Sequence, residues 1–227
     1  MSQNRSSAVM QQRAEPHDSL DDFPTPPWAT RALMDYLMPS FGPFLDKSVR
    51  EPASNRGHMV RPLREFFGRV EASDVHDYGA GFPVEDYLFG PPPARTDWTI
   101  TNPPFRLAEQ FIRRGLECSD HVAVIVRLAF LESMSRHRDL FAVHRPSLIL
   151  QFTERVVMHK GKLVNPQVAV ETWSEKEQAF VVRKPSSATA YCWVVWTKWS
   201  SGTFTSFDWI APCSLRLTRP GDYEAAS

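Results

Sequence analysis

Short apolar runs alternate with amphipathic stretches through the middle of the chain. Residues 70–73, 98–100 and 121–128 have the apolar and β-branched character of short or buried strands. Residues 59–67 and 107–116 instead carry apolar side chains at helical spacing. This alternation of strand and helix predicts a parallel sheet with helices on both of its faces.

The regions on either side of this alternation have patterns of their own. Upstream, Trp28, Leu33, Tyr36 and Leu37 follow helical spacing, and Thr25 is the predicted N-cap of that helix. Downstream, aromatic and β-branched residues predict three further strands, at residues 148–152, 191–196 and 204–209. We expect the last two to close the sheet as an antiparallel hairpin.

Composition divides the chain into one domain and two short ends. Residues 1–20 are polar, with too few large apolar side chains to offset the entropy of ordering, so they are predicted to form a flexible tail. Residues 21–215 form the predicted single domain, and residues 216–227 a C-terminal tail. Residues 158–187 are polar and rich in lysine, which predicts an excursion from the sheet, either a substrate-contacting insert or a solvated hairpin.

Charge, cysteine content and the length of apolar runs each bear on the class of protein. The 26 basic and 26 acidic residues cancel, so there is no global basic signature of a nucleic-acid binder. The three cysteines are widely spaced and never form Cys-x-x-Cys, which indicates neither a disulfide framework nor a zinc site and favours the reducing cytoplasm. No apolar run is long enough for a signal peptide or a membrane span, so we expect no membrane association.

The strongest chemical signal is the tetrapeptide Asn102-Pro103-Pro104-Phe105, which directly follows a predicted strand. Two prolines fix φ and remove two N–H donors, and Pro103 also pushes Asn102 out of the helical region. The turn is therefore stiff and rich in hydrogen-bond acceptors, which suits a substrate that brings N–H groups. The alternative is that these residues form only a structural turn.

Other polar residues follow the earlier predicted strands. Residues 51–57 come after the first strand, Asp74 after the second and Asp86 near a third. In an open parallel sheet, ligands bind beyond the carboxyl ends of the strands, so these residues are predicted to share one site with Asn102. His76 and Asp77 lie beside Asp74, but no further ligand has suitable spacing, so we expect no metal site.

This order of motifs resembles the S-adenosylmethionine-dependent adenine-N6 DNA methyltransferases. Residues 23–33 and 126–132 look particularly like the small methyltransferase-like proteins of phages and prophage regions, and the resemblance covers about residues 20–210. It implies a Rossmann-like class I methyltransferase fold with a mostly parallel seven-stranded sheet, S-adenosylmethionine as cofactor and adenine-containing DNA as partner.

The resemblance also implies roles for the Asn-Pro-Pro-Phe turn. The Asn102 side-chain oxygen and the Pro103 carbonyl would accept the two N–H bonds of the adenine amine and direct its lone pair at the methyl donor. Phe105, next to Pro104, would stack on a base extruded from the duplex. Arg106 and Arg127 are candidates for contacting the substrate strand.

Cofactor roles follow from the same resemblance. Asp74 would accept hydrogen bonds from the ribose hydroxyls, Asp86 would bind the cofactor adenine, and Gly57 would allow close backbone approach. The full predicted cofactor set is Thr25, Pro26, Trp28, Glu51, Pro52, Ala53, Gly57, Asp74 and Asp86. The usual cofactor motif has glycine where Asn55 stands; asparagine tolerates left-handed φ better than most residues.

Three alternatives to DNA-adenine methylation remain at the level of sequence. The same turn serves methyltransferases that act on RNA or on a protein glutamine amide, which usually carry tyrosine where Phe105 stands. A module that retains the fold and binds cofactor or nucleic acid without turnover is also compatible with Asn55 and with the lack of a separate recognition domain. The oligomeric state is not predicted.

Overall fold

The structure is a computed structural model that describes residues 21–174, 177–198 and 204–223. The predicted N-terminal tail, residues 1–20, lies outside these ranges. The helices are α1 (Pro27–Phe41), α2 (Val60–Leu63), α3 (Ala108–Cys118), α4 (Met134–Arg136) and α5 (Ser214–Leu217). The strands are β1 (Ser48–Glu51), β2 (Arg69–Ala72), β3 (Thr96–Thr101), β4 (Ser119–Arg127), β5 (Leu148–Phe152), β6 (Val170–Ser174), β7 (Ala179–Arg183), β8 (Tyr191–Thr197) and β9 (Ser206–Ile210).

Seven of these strands form one sheet in the order β2-β1-β3-β4-β8-β5-β9. β1, β2, β3 and β4 pair in parallel with one another, whereas β8 runs antiparallel to both β4 and β5, and β9 runs parallel to β5. The predicted seven-stranded, mostly parallel sheet is confirmed. A separate two-stranded antiparallel hairpin, β6–β7, lies within the predicted excursion.

The neighbours of the last two sheet strands differ from the expectation. β8 and β9 are not paired with each other, because β5 lies between them. β8 instead lies between β4 and β5. It pairs with β4 over seven residue pairs and with β5 over four. Its almost continuous burial explains this position, since a strand covered on both faces belongs inside a sheet and not at its edge.

The core occupies both faces of the sheet because buried side chains alternate along the central strands. On β4, Ala123 and Ile125 pack into the cluster that includes Trp28 and Leu33 of α1. The intervening β4 residues Val122, Val124 and Val126 pack on the opposite face, with Ile112 of α3. Because successive side chains of a strand point to opposite faces, one continuous apolar run contributes to two packed layers.

Helix α1 begins one residue later than its predicted cap would require. Pro26 is the N-cap and Pro27 occupies the first turn, where a missing N–H costs nothing. Thr25 therefore lies outside the helix, and its buried hydroxyl has no hydrogen-bond partner within the described part of the chain.

The described end of the chain packs on α1 and does not extend away as a tail. Arg31, only 3% exposed, donates from Nη1 to Asp222 Oδ2 at 2.6 Å and from Nη2 to Asp222 Oδ1 at 2.8 Å. Glu65 accepts from the same guanidinium, with Oε1 at 2.7 Å from Nη2. This buried ion network ties residues up to 223 of the predicted C-terminal tail to the domain.

The strand order places the first and third strands side by side. The chain passes from β1 outward to β2 and then returns to β3 on the other side of β1. Such a reversal is the switch point at which open α/β sheets form a crevice beyond their strand ends. The Glu51 loop and the Asn102 turn both begin at that crevice.

Candidate functional site

A cavity of about 190 Å³ opens at the carboxyl ends of β1 and β3. Its walls come from the segment before α1, the loops after β1, β2 and β3, and the start of α3. Predicted site residues that line it are Thr25, Pro52, Ala53, Asp74, Asp86, Asn102 and Pro104. Folding thus brings together residues that lie up to 79 positions apart in the sequence.

Asn102 is held by one end of its side-chain amide only. Its Nδ2 donates to the Phe23 carbonyl at 2.9 Å and lies 3.9 Å from Met158 Sδ. A carbonyl oxygen can only accept, so this contact fixes which end of the amide is nitrogen. Asn102 Oδ1 is buried and has no hydrogen-bond partner among the described residues. The predicted acceptor is therefore positioned and unused by the protein.

Phe105 lies next to the cavity in a cluster of rings and a guanidinium. Its N–H donates to Asp21 Oδ2 at 2.7 Å, and its ring centroid is 5.2 Å from that of Phe23. The Arg127 guanidinium carbon lies 3.7 Å from the Phe105 centroid and 5.6 Å from the Phe23 centroid. A cation at such distances from a ring is stabilised by the ring quadrupole. Arg127 thus occupies a face of the ring that was predicted to stack on a base.

Glu51 lies beneath the cavity and not on its surface. Its side chain is 0% exposed, and Oε1 accepts from the Thr101 hydroxyl at 2.6 Å and from the Ala53 N–H at 3.0 Å. Burial raises its pKa to about 8, against the lowering effect of those two hydrogen bonds. Glu51 therefore anchors the start of the loop and links it to the end of β3.

Asn55 takes the left-handed conformation that the sequence made plausible, with φ of 50°. Its N–H donates to Asp74 Oδ2 at 2.8 Å, and its Nδ2 donates to Asp22 Oδ1 at 2.8 Å. Its Oδ1 accepts the Arg56 N–H at 2.7 Å. Both polar groups of this side chain are used inside the protein, and the backbone N–H holds the loop against Asp74, just after β2.

Asp74 is buried at the cavity wall. Besides Asn55, it accepts the His76 N–H on Oδ1 at 3.0 Å, and it forms an isolated parallel bridge with Val84. Each carboxylate oxygen can accept a further hydrogen bond, so Asp74 can still receive donors from a ligand. Asp86 is exposed at the same cavity, where its Oδ1 accepts the Leu88 N–H at 2.9 Å.

Several predicted site residues do not face this cavity. Trp28 is 0% exposed, packs edge-on against Phe152 in the core and does not line this cavity, so its predicted contact with a cofactor stays a prediction. Gly57 has φ of 82°, and a Cβ there would lie 3.0 Å from the Phe82 ring, so the close approach that glycine allows here is to Phe82. Pro26 and Pro103 are buried beside the cavity, and Arg106 is exposed beyond Phe105.

The structure also adds residues that the sequence did not single out. Asp22 is buried and pairs with Arg56 at 3.0 Å while it accepts from Asn55. His58 lines the cavity with its pKa lowered to about 4, mainly by burial. The signal available for Asp22 was its position just before the rigid Phe-Pro-Thr-Pro-Pro segment; nothing in the sequence distinguishes His58 from a surface histidine.

Within residues 21–174, 177–198 and 204–223, no group of three or more His, Cys, Asp or Glu side chains is arranged to hold a metal ion. Over the same residues, the helices are all too short or too polar to cross a lipid bilayer.

Comparison with known proteins identifies the fold. No protein-family model and no curated protein matches the sequence. A Listeria monocytogenes protein assigned to the class I S-adenosylmethionine-dependent methyltransferases has a similar structure, with a TM-score of 0.58 and 12% identity over 89% of this chain and 69% of its own. The chain has the class I methyltransferase fold. The antiparallel β8 within an otherwise mostly parallel sheet belongs to that class I methyltransferase fold.

Two further solved structures resemble this one at the level of fold. A Pyrococcus horikoshii protein assigned as an RNA methyltransferase has a TM-score of 0.51 and 18% identity over 87% of this chain and 98% of its own. A modification subunit assigned to a type I restriction enzyme of Vibrio vulnificus has a TM-score of 0.51 and 15% identity over 96% of this chain. This chain covers 53% of the length of that subunit.

Proposed function

We propose that this protein transfers a methyl group from S-adenosylmethionine to the N6 amine of adenine in DNA. The observation that carries the proposal is the buried Asn102 Oδ1, which has no hydrogen-bond partner within the described residues and borders the cavity. An unpaired buried acceptor costs about 1–3 kcal/mol, so it needs a compensating partner. The amine of an entering base supplies such a partner.

The chemistry of adenine makes this acceptor useful. The N6 lone pair is conjugated with the ring, so the amine is a poor nucleophile until its N–H bonds are held away from the plane of the base. Asn102 Oδ1 and the Pro103 carbonyl are the groups that we assign to accept those N–H bonds. The Phe23 carbonyl fixes the Asn102 amide before substrate arrives, so no reorganisation is needed at the moment of reaction.

The cavity residues suit S-adenosylmethionine. Asp74 offers carboxylate oxygens for ribose hydroxyls, and Asp86 is an exposed acceptor for the adenine amine of the cofactor. The hydroxyls of Thr25 and Ser54 are buried near the same cavity without partners in the described residues, as expected of groups that receive a polar ligand. When bound, the cofactor supplies an electrophilic methyl group on a sulfonium.

Pro52, Ala53 and Pro104 complete the apolar wall, whereas Glu51 positions the loop from below. Asn55 already has the left-handed conformation required at a position usually held by glycine, so the loop forms without a glycine there. This supports cofactor binding and argues against a module that has lost it.

The choice of DNA rests on the Asn-Pro-Pro-Phe turn and on the similarity to a restriction-modification subunit. RNA is the second candidate, favoured by the similarity to the Pyrococcus protein assigned as an RNA methyltransferase. Phe105 would stack on the extruded base once Arg127 has moved from its ring.

Incubation with tritiated S-adenosylmethionine tests the proposal, with unmethylated DNA, RNA of the same sequence and glutamine-containing peptides as separate substrates. We expect label in the DNA and N6-methyladenine in its nucleoside digest. If only the RNA or only the peptide is labelled, that molecule and not DNA is the substrate. Binding of the cofactor without transfer to any substrate would favour the non-catalytic alternative.

A further inference from the structure

A second cavity of about 290 Å³ lies on the far side of Phe105. Arg106, Arg113 and Arg136 line it together with one acidic residue, Glu109, so its walls carry a net positive charge in a chain whose overall charge is zero. Phe105 belongs to this wall and also to the turn that contains Asn102. The two cavities therefore share one structural element.

The arginines of this cavity are oriented before any ligand binds. Arg113 donates to Glu109 Oε1 at 2.9 Å and to the Asp139 carbonyl. Arg136 lies over the Phe130 ring, with its guanidinium carbon 4.0 Å from the centroid, and donates through Nη1 to the Phe130 carbonyl. Its Nε is buried and has no acceptor among the residues that the structure describes.

A buried guanidinium N–H without an acceptor is costly, and an anionic or polar ligand would satisfy it. The planar donor pattern of guanidinium matches the oxygens of a phosphate group. The sugar of a nucleotide carries both its base and its phosphates, so a base held at Asn102 brings its own phosphates to the surface next to Phe105. A basic cavity at that position fits a backbone phosphate better than it fits a free base.

We infer that this arginine cavity binds a backbone phosphate of the DNA strand that carries the target adenine. The inference rests on the proposed function, because it takes the extruded base to lie at Asn102. Arg136 and Arg113 then hold the strand in register, and Arg106 contacts it from the exposed rim. These contacts position the strand and carry no base specificity.

Fluorescence anisotropy with a labelled single-stranded oligodeoxynucleotide, titrated over a series of salt concentrations, tests this site. Arg136→Gln should weaken binding. It should also make the dependence of the log association constant on log salt less steep by about 0.7–1, as for the loss of one phosphate contact. Arg69→Gln is the matched control, since Arg69 is 69% exposed on β2, outside the cavity, and the change in charge is the same. The control should keep the wild-type slope.

Identical slopes for Arg136→Gln and Arg69→Gln would overturn the proposal. If Arg136→Gln does not fold, Arg106→Gln replaces it, because Arg106 is exposed. An unchanged slope in that variant would also overturn the proposal. Inorganic phosphate at matched ionic strength should not displace the oligonucleotide, and complete displacement would assign the cavity to a small phosphorylated ligand. RNA that binds more tightly than DNA with the same dependence on Arg136 would overturn the assignment to DNA.

Calorimetry of S-adenosylmethionine separates this site from the proposed function. We expect Arg136→Gln to bind cofactor as the wild type does. A slope change in Arg136→Gln with no methyl transfer by the wild type would retain the phosphate site and reject the methyltransferase function.

Discussion

Two asparagines border the same cavity and use their side chains in opposite ways. Asn55, after β1, has its Nδ2 bound to Asp22 and its Oδ1 bound to the Arg56 N–H. Asn102, after β3, has its Nδ2 bound to the Phe23 carbonyl, while its Oδ1 has no partner among the described residues. Both follow strand ends at the switch point, so their location does not distinguish them.

This contrast separates polar groups that belong to the fold from those that are available to a ligand. A side chain whose donors and acceptors are all used internally holds a loop in place. A side chain that is fixed at one end and unpaired at the other lowers stability unless something from outside completes it. We therefore assign Asn55 to the shape of the cofactor loop and Asn102 to contact with the substrate.

Replacing Asn102 has the largest expected effect on activity. Asn102→Ala should lower the methyl-transfer rate by about 10²–10³-fold, because it removes a preorganised acceptor. Its free energy of unfolding should change by less than about 1 kcal/mol, since losing the bond to Phe23 is offset by removing an unpaired oxygen. Single-turnover kinetics, denaturation and cofactor calorimetry on the same sample check this. A wild-type rate would exclude the assigned role.

Stability should depend on pH through Glu51, which anchors the start of the loop that contains Asn55. Glu51 has its pKa raised from 4.5 to about 8 by burial, so between these values the folded protein keeps a proton that the unfolded chain releases. The stabilising effect of that proton is complete below pH 4.5 and is lost as the pH rises towards about 8.

Glu51→Gln removes this titration. Between pH 4.5 and about 8, the wild type should lose about 1 kcal/mol of stability per pH unit relative to the variant. Urea denaturation of both proteins at intervals of one pH unit measures the difference. A difference that stays constant with pH would show that the folded protein does not keep this proton.

Asp74, which accepts the Asn55 N–H, is the predicted cofactor contact in this part of the cavity. Asp74→Ala should weaken S-adenosylmethionine binding by about tenfold or more, because it removes a hydrogen-bond acceptor for the ribose hydroxyls. Asp74→Asn, which keeps the shape and one acceptor oxygen, should fall between the alanine variant and the wild type. Calorimetry measures the three affinities, and equal values would remove Asp74 from the cofactor site.

The smallest effect is expected at Asn55 itself. Asn55→Gly and Asn55→Ala lose the same contact with Asp22, but only alanine is strained at φ of 50°. The alanine variant should therefore be less stable than the glycine variant by about 1 kcal/mol. Thermal denaturation compares them. Equal stability would mean that the left-handed conformation is not required at this position.

The sequence predicted the parts of the fold that depend on local patterns. The alternation of strands and helices led to β2, β3, α3 and β4 nearly at their observed bounds, because each has a continuous apolar periodicity. The strand-end rule then predicted that Asp74 and Asn102 would share a cavity, and both line it. These inferences needed no knowledge of distant contacts.

What the sequence missed depends on contacts between distant residues. β9 pairs with β5 and not with β8, a choice set by which strand has a free edge. The burial of Trp28 against Phe152 and the ion pair between Arg31 and Asp222 join segments more than 120 residues apart. Arg127 was a candidate for contacting the substrate strand, and its position over the Phe105 ring could not be predicted from spacing.

The most direct test of the central claim measures whether the Asn102 side chain and the amino group of the substrate interact. A thermodynamic cycle does so, with wild type and Asn102→Ala each binding oligonucleotides that contain either adenine or purine, which lacks the amino group. We predict that the wild type prefers adenine by about tenfold or more and that the variant has no preference, since one hydrogen bond of about 1–2 kcal/mol is at stake. An equal preference in both proteins would contradict the claim that Asn102 accepts the adenine amine.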